Sequence, residues 1–229
     1  MKKVSIIIPV FNEAQALAAN LPLLQVLREE GHEVIVVDGS DDTLSAVSCA
    51  DWVDRWLLSA PGRARQMNLG AACATGDIFL FLHIDTRLPV DAMALLEKGF
   101  ATPATLWGRF DVCLSGQRWA FRVIETMINL RSRLSGVATG DQAIFVSQRA
   151  FKSVQGFPDL PLMEDVAISK TLRRLAPPLC LRSKVITSSR RWEAHGVGRT
   201  IVLMWWIRLL YSVGVSPRIL RDMYAKKAR

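Results

Sequence analysis

Runs of consecutive apolar residues alternate with helical periodicity along the first third of the chain, and that rhythm predicts an α/β protein. Residues 4–10 (VSIIIPV) are rich in β-branched side chains with little polar alternation, the pattern of a strand buried on both faces of a parallel sheet. Asn12 reads as an N-cap, and Leu17, Leu21, Leu24 and Leu27 recur at helical spacing, predicting one helix over 13–30 that stops at Gly31. Residues 33–38 (EVIVVD) predict a second buried strand and 52–58 a weaker third. A helix over 62–74 then leads to a fourth strand at 78–82 (IFLFL), which ends at His83-Ile84-Asp85. Strands alternating with helices imply a mostly parallel central sheet flanked by helices, with right-handed crossovers.

The rhythm changes after Pro89. The pattern predicts a helix over 91–99, an amphipathic strand over 107–114, a long helix over 119–134, a strand over 140–146 and a helix over 161–175. There is no internal repeat and no low-complexity linker. The organisation expected is one domain over 1–192, with a nucleotide-binding half (1–88) and an acceptor half (89–192), followed by apolar and basic helices over 193–229.

Bulk properties narrow the partners. The 229 residues are half hydrophobic and carry a formal net charge of +8, enough for one large domain with a sizeable core and a preference for polyanions. The basic residues are spread along the chain and thicken in the last third, which counts against nucleic acid and leaves nucleotide phosphates or an anionic membrane. Cys49, Cys73, Cys113 and Cys180 have neither C-x-x-C nor metal-ligand spacing, so they read as small buried hydrophobes in a reducing compartment. The apolar run before Pro9 is too short for a signal-peptide core, and a cytoplasmic location is expected.

Several residues sit where an open parallel sheet presents its ligands, outside the carboxyl ends of the strands. Asp38 could accept from a base N–H, with Gly39 letting a ring or ribose approach the backbone. The plainer alternative is a turn at 39–41 that caps the next helix. Arg63 and Arg65 open a helix after Gly62, where free N–H groups and guanidinium charge together suit an anion; the alternative is a solvated basic face. His83 and Asp85, two apart on an extended segment, would share one face, and a hard divalent ion held by one carboxylate and phosphate oxygens fits there. Glu164 and Asp165 open a helix, where carboxylates are favoured by the dipole in any case, or where Asp165 serves as a general base.

Taken in order, these segments resemble glycosyltransferase family 2, of the GT-A fold group. Residues 5–13 (SIIIPVFNE) are similar to its opening strand, 36–40 (VVDGS) to the strand that meets uracil and ribose, and 62–70 (GRARQMNLG) to its G-[RK]-[AG]…N-x-G helix. Residues 81–85 (FLHID) resemble the D-x-D strand, 139–142 (TGDQ) the acceptor segment, 156–165 the segment carrying the base, and 189–192 (SRRW) the Q-x-x-R-W element. The resemblance covers roughly residues 4–192 and is greatest for a small bacterial group that carries F-L-H-x-D-T and R-R-W.

The resemblance implies a nucleotide-diphospho-sugar transferase fold and an inverting transfer from a nucleotide sugar, usually UDP-linked, to an acceptor hydroxyl, assisted by Mn²⁺ or Mg²⁺. Carried over, Pro9, Phe11, Glu13, Asp38, Ser40, Arg63, Arg65, Asn68, Arg191 and Trp192 would bind the donor. Gly140, Asp141 and Gln142 would lie on the acceptor side, Asp85 with His83 would hold the metal, and Asp165 beside Glu164 would take the acceptor proton. His83 replaces the first acid of D-x-D, and an imidazole donor leans towards Mn²⁺ over Mg²⁺.

Residues 201–213 (IVLMWWIRLLYSV) are apolar almost all round, but that length of helix spans about 20 Å, short of a bilayer's hydrocarbon core. The options are a helix packed in the core, a homodimer helix, or one lying in the face of an anionic inner membrane with Trp205 and Trp206 as anchors, the last consistent with a lipid or lipid-linked acceptor; a glycan acceptor is the other expectation. Two other functions fit the sequence less well. A nucleotidyltransferase would want a Gly- and Lys-bearing loop after the first strand, which 9–13 (PVFNE) lacks. A non-catalytic nucleotide- or membrane-binding protein would have no need of both Asp85 and Asp165.

Overall fold

The computed structural model describes residues 2–40 and 48–227, with the side chains of 191, 194, 195, 197, 226 and 227 outside that description. Eight strands form one sheet: β1 (Val4–Val10), β2 (Glu33–Asp38), β3 (Arg55–Leu58), β4 (Ile78–Phe81), β5 (Thr86–Arg87), β6 (Trp107–Leu114), β7 (Phe145–Ser147) and β8 (Leu179–Thr187). Their order is β3-β2-β1-β4-β7-β6-β8-β5. Parallel pairing joins β3, β2, β1 and β4, and again β6 and β8; β7 runs antiparallel to both its neighbours, and β5 antiparallel to β8.

The β-branched runs explain the centre of this sheet. Every residue of β2 and β4 is buried, because helices cover both faces. On one face Ile6, Ile8 and Val36 pack with Leu17, Leu21, Leu96 and Phe100; on the other Ile7, Ile35 and Val37 pack with Ala64, Met67, Phe151, Ile168 and Leu172. Gly70 lets the helix Arg63–Cys73 lie directly on the sheet: a Cβ there would come within 2.5 Å of Ile7 Cγ2. That contact gives a physical reason for the glycine of the N-x-G pattern.

Several elements differ from the sequence expectation. The single helix over 13–30 is three pieces, Ala14–Asn20, a 3₁₀ turn Leu21–Leu24 and Gln25–Glu29, with Pro22 at the start of the turn, where its missing N–H is harmless. Its N-cap is Glu13; Asn12, expected there, has φ 54°. The strand expected over 140–146 begins only at Phe145, because Thr139 and Gln142 form a capping box around a 3₁₀ turn, Gly140–Gln142. The helix expected from Pro161 begins at Glu164, after Met163 at φ 69°. Strand β8 and the short helix Gln148–Ser153 were not anticipated.

At the C-terminal end the helices Arg190–His195, Val197–Ser212 and Pro217–Lys227 follow one another. Leu203, Ile207 and Leu220 pack on Val137, Met163 and Val166, so this appendage leans on the first turn of the helix Glu164–Leu175. Ile201 packs with Phe121 and Ile124, which places Val197–Ser212 beside the helix Trp119–Ser135. Among the described residues no helix is long and apolar enough to cross a membrane.

Candidate active site

A small cleft opens between β4 and the helix Glu164–Leu175, lined by Met67, Phe81, His83, Gly140, Ile144, Phe157, Glu164 and Asp165. It therefore joins the D-x-D-like segment, the 139–142 segment and the expected base, which the sequence placed on three separate elements. Gly140 is the hinge of this arrangement. Its N–H donates to Asp165 Oδ2 at 2.9 Å, and a Cβ on it would lie 2.7 Å from His83 Nε2 and 3.9 Å from Asp165 Oδ2. Only a residue without a side chain lets the imidazole and the carboxylate close on the same backbone.

Asp165 also accepts from the Val166 N–H at 2.7 Å, as a carboxylate at a helix N-terminus does. Burial pushes its carboxyl up, against the pull of these two N–H groups; Asp141 pushes the same way and Arg208 opposes it. Glu164, 7% exposed, is pushed up to about 7, chiefly by burial and then by the Asp165 charge, with Arg63 pulling it down. Two adjacent carboxyls that resist ionisation together can hold a proton near neutral pH, which suits a base.

His83 and Asp85 are both half-buried. They stand on a turn closed by Thr86 N–H to the His83 carbonyl at 3.0 Å, not on the extended segment expected. Among the described residues no group of three or more His, Cys, Asp or Glu could hold a metal. Among the described residues this segment brings His83 and Asp85 as donors, a set that would suit a cation held mostly by phosphate oxygens.

The expected donor residues divide. Asp38 is buried, and its Oδ1 accepts from Ser40 N at 2.8 Å and Ser40 Oγ at 2.6 Å, so the turn and the strand-end acid coexist. Beneath them Gln66 donates to the carbonyls of Val10 and Val37 at 2.6 and 2.8 Å, tying the ends of β1 and β2. Phe11 is exposed, Pro9 and Glu13 are half-buried, and Arg63 is exposed at the helix start. Arg65 is engaged by Asp159, its Nη2 at 2.8 Å, and that carboxylate raises its pKa. Asn68 clamps the loop before the base: it donates to the Phe157 carbonyl at 2.8 Å and accepts from the Phe157 N–H at 2.9 Å. Gln142 is fully buried within the capping box, while Asp141 is half-buried. Trp192 packs against the cluster of Leu114, Phe121 and Ile124, and the side chain of Arg191 lies outside the described residues.

Two residues near Asp165 belong to none of the motifs. Arg131, on the helix Trp119–Ser135, and Arg208, on Val197–Ser212, bring their charges towards Asp141 and Asp165. Only the packing of helices remote in sequence places them there.

The sequence-family model described as Glycosyl transferase family 2 matches residues 5–151, a span that holds His83 and Asp85 but stops before Glu164 and Asp165. Among curated proteins, none matches the chain. The mannosyltransferase PcManGT from Pyrobaculum calidifontis, solved with GDP-Man and Mn²⁺, is 18% identical, with a TM-score of 0.65 over 99% of this chain and 69% of its own. S. aureus TarS 1-349 is 19% identical, with a TM-score of 0.64 over 87% of this chain and 64% of its own. Glucosyl-3-phosphoglycerate synthase from Mycobacterium tuberculosis, in complex with Mn²⁺, UDP and glucosyl-3-phosphoglycerate, is 16% identical, with a TM-score of 0.58 over 81% of this chain and 71% of its own. At such identities the likeness is one of fold, and the fold is that of the GT-A glycosyltransferases.

Proposed function

Because this chain belongs to glycosyl transferase family 2, we propose that it performs an inverting transfer of a sugar from a nucleoside-diphosphate sugar, UDP-linked in our reading, to an acceptor hydroxyl. The observation that carries the proposal is the seat of Asp165: half-buried beside the buried Glu164, held by the Gly140 N–H, and facing the cleft that His83 also lines. Asp165 takes the acceptor proton as the acceptor oxygen attacks the anomeric carbon and the bond from that carbon to the diphosphate oxygen breaks. One displacement inverts the centre, and the electron pair leaves with the nucleoside diphosphate. Glu164, sharing the local negative charge, keeps the pair's affinity for that proton high.

Asp38 and Ser40, at the end of β2, are suited to the nucleoside, and Arg63 at a helix N-terminus to the diphosphate. Mn²⁺ or Mg²⁺ would be held by Asp85, with His83 as second donor, and when bound it would offset the charge on the leaving diphosphate. The neighbours solved with Mn²⁺ and nucleotides support this reading of the donor side. Arg65 and Asn68, tied to Asp159 and Phe157, are better suited to holding the loop that carries the base than to touching donor.

The acceptor side supports a membrane. Trp119, Val123, Met127, Leu130 and Leu134 form an exposed apolar stripe on one helix, and Val202, Trp205, Trp206, Leu209 and Val213 another on its neighbour. With a net charge of +8 these stripes suit peripheral attachment to an anionic leaflet and a lipid or lipid-linked acceptor. The deciding experiment is a binding panel of UDP- and GDP-sugars with and without Mn²⁺, read by thermal shift. Metal-dependent stabilisation by one sugar nucleotide is expected; no response to any would defeat the proposal.

A further inference from the structure

Arg131, on the helix Trp119–Ser135, and Arg208, on Val197–Ser212, both act on Asp165. Glu164 feels Arg63, whereas Asp165 feels Arg208, and Arg131 feels Arg208, Asp141 and Asp165. Two guanidiniums from different helices thus converge near the base. Nε and Nη2 of Arg131 and Nε of Arg208 are buried without a hydrogen-bond partner, as is Oδ1 of Asp141. Among the described residues neither arginine forms an ion pair with a carboxylate, although Asp141 and Asp165 are close enough to act on Arg131 electrostatically. By contrast Arg109 and Arg133, a turn away, are both bound to Asp111.

Buried guanidinium N–H groups without acceptors are costly, and two like charges held together raise the cost. Burial, and then the Arg208 charge, bring Arg131 down to about 10. An anion between the two would supply the missing acceptors and cancel the repulsion. A tetrahedral phosphate, with several oxygens and up to two negative charges, matches paired guanidiniums better than any neutral group.

We propose that Arg131 and Arg208 form an anion site on the acceptor side of Asp165 that takes a phosphate carried by the acceptor. This rests on the reading of Asp165 as the base. The phosphate can belong to a soluble phosphate ester or to a lipid headgroup; Arg208 lies on the helix that exposes Trp205 and Trp206, so both routes reach it.

The test measures binding of two probes to the full chain: glycerol 3-phosphate in solution, and phosphatidic acid in phosphatidylcholine vesicles. Glycerol and pure phosphatidylcholine are the blanks. Saturable binding is expected, weakened about tenfold or more in Arg131→Gln and in Arg208→Gln and partly restored in Arg131→Lys. A response to glycerol 3-phosphate assigns a soluble ester, and a response to phosphatidic acid alone assigns a lipid. Affinity for both probes unaltered in the two Gln variants, or no saturable binding by the parent chain, overturns the proposal. Should a Gln variant fail to fold by circular dichroism, the Arg131→Lys affinity decides, since a merely structural arginine would leave it at the parent value. Sugar-nucleotide binding is followed in the same samples. Its loss alongside arginine-dependent phosphate binding would defeat the transfer reading and leave this site standing; the reverse would defeat this site alone.

Discussion

The backbone N–H of Gly140 donates to Asp165 Oδ2 at 2.9 Å, and the imidazole of His83 closes on the same glycine. The His83 segment and Asp165 are therefore coupled through one residue that has no side chain. Gly140→Ala would set a Cβ 2.7 Å from His83 Nε2, a distance real contacts do not tolerate. The backbone at 140 is not left-handed, so the strain falls on the imidazole and not on the chain. Turnover in Gly140→Ala should fall roughly tenfold or more, since small displacements of reacting groups are costly. In a double-mutant cycle with His83→Ala the two losses should be far from additive. Additive losses in steady-state kinetics would show that the contact is not how the mutation acts.

Asp165→Asn keeps the shape of the side chain and one acceptor oxygen for Gly140 while removing the base. Turnover should fall by about a hundredfold or more, the range general bases contribute, with sugar-nucleotide affinity within about twofold of the parent. Single-turnover kinetics and equilibrium titration check the two halves separately. Near-normal turnover would move the base elsewhere.

The elements legible in the sequence are those whose pattern is set by two-sided burial. Strands β1, β2 and β4 are unbroken apolar runs, and β6 matches its expected span, Trp107–Leu114, residue for residue. Strand β8 was missed because its residues are partly exposed in an irregular order and its partner β6 lies far back in the chain, with a register shift at Phe110/Asp111. The break at Pro22 and the capping box at Thr139 and Gln142 carried local signals that apolar periodicity overrode. The motifs single out Glu164, Asp165 and His83, which the fold brings to one cleft, and Asp85 two residues beyond His83. Asn68 was found too, but its hydrogen bonds to Phe157 show a clamp that spacing could not reveal. Nothing in the sequence connects Arg131 and Arg208 with Asp165, because helix packing alone puts them near it.

That clamp makes its own prediction. Asn68→Ala deletes both bonds to Phe157 and leaves a buried N–H and carbonyl unsatisfied, a loss of about 2–3 kcal/mol. For a chain of this size the melting temperature should drop by roughly 5–10 °C. If the residue holds the loop and does not touch donor, the KM for sugar nucleotide should stay near the parent value while kcat falls. An unchanged melting temperature with a raised KM would instead make Asn68 a donor contact.

Glu164 gives the protein a pH dependence with a definite sign. Its carboxyl is pushed up to about 7 in the folded chain from its ordinary 4.5, so the folded state holds a proton that the unfolded state has released. Where the folded state binds more protons, stability falls as pH rises. The loss therefore accumulates between about pH 4.5 and about pH 7 and is complete above that, at roughly 1–3 kcal/mol given the sharing of charge with Asp165. Glu164→Gln cannot ionise. It should match the parent in melting temperature near about pH 5 and exceed it near about pH 8, with the gap opening through the window. The same substitution removes a negative neighbour from Asp165, so the acid limb of kcat/KM should move to lower pH. Parallel melting curves at both pH values would mean that Glu164 is ionised in the fold like any surface acid.

The two exposed stripes set the last expectation. Trp205 and Trp206 are 59% and 48% exposed, and Trp119 is 79% exposed on the adjoining helix. An indole at the surface of water gains by lying at the level of lipid headgroups, and basic residues nearby add attraction to anionic lipid. The chain should co-sediment with phosphatidylglycerol vesicles at low salt, release as salt is raised, and ignore pure phosphatidylcholine. Replacing Trp205 and Trp206 together by Ser removes exposed apolar area without touching the core. It should leave the melting temperature within about a degree and weaken vesicle binding roughly tenfold or more. If the stripes instead bury against a second copy of the chain, the parent protein will run as a dimer that the double Ser variant splits, and vesicle binding will not follow the tryptophans.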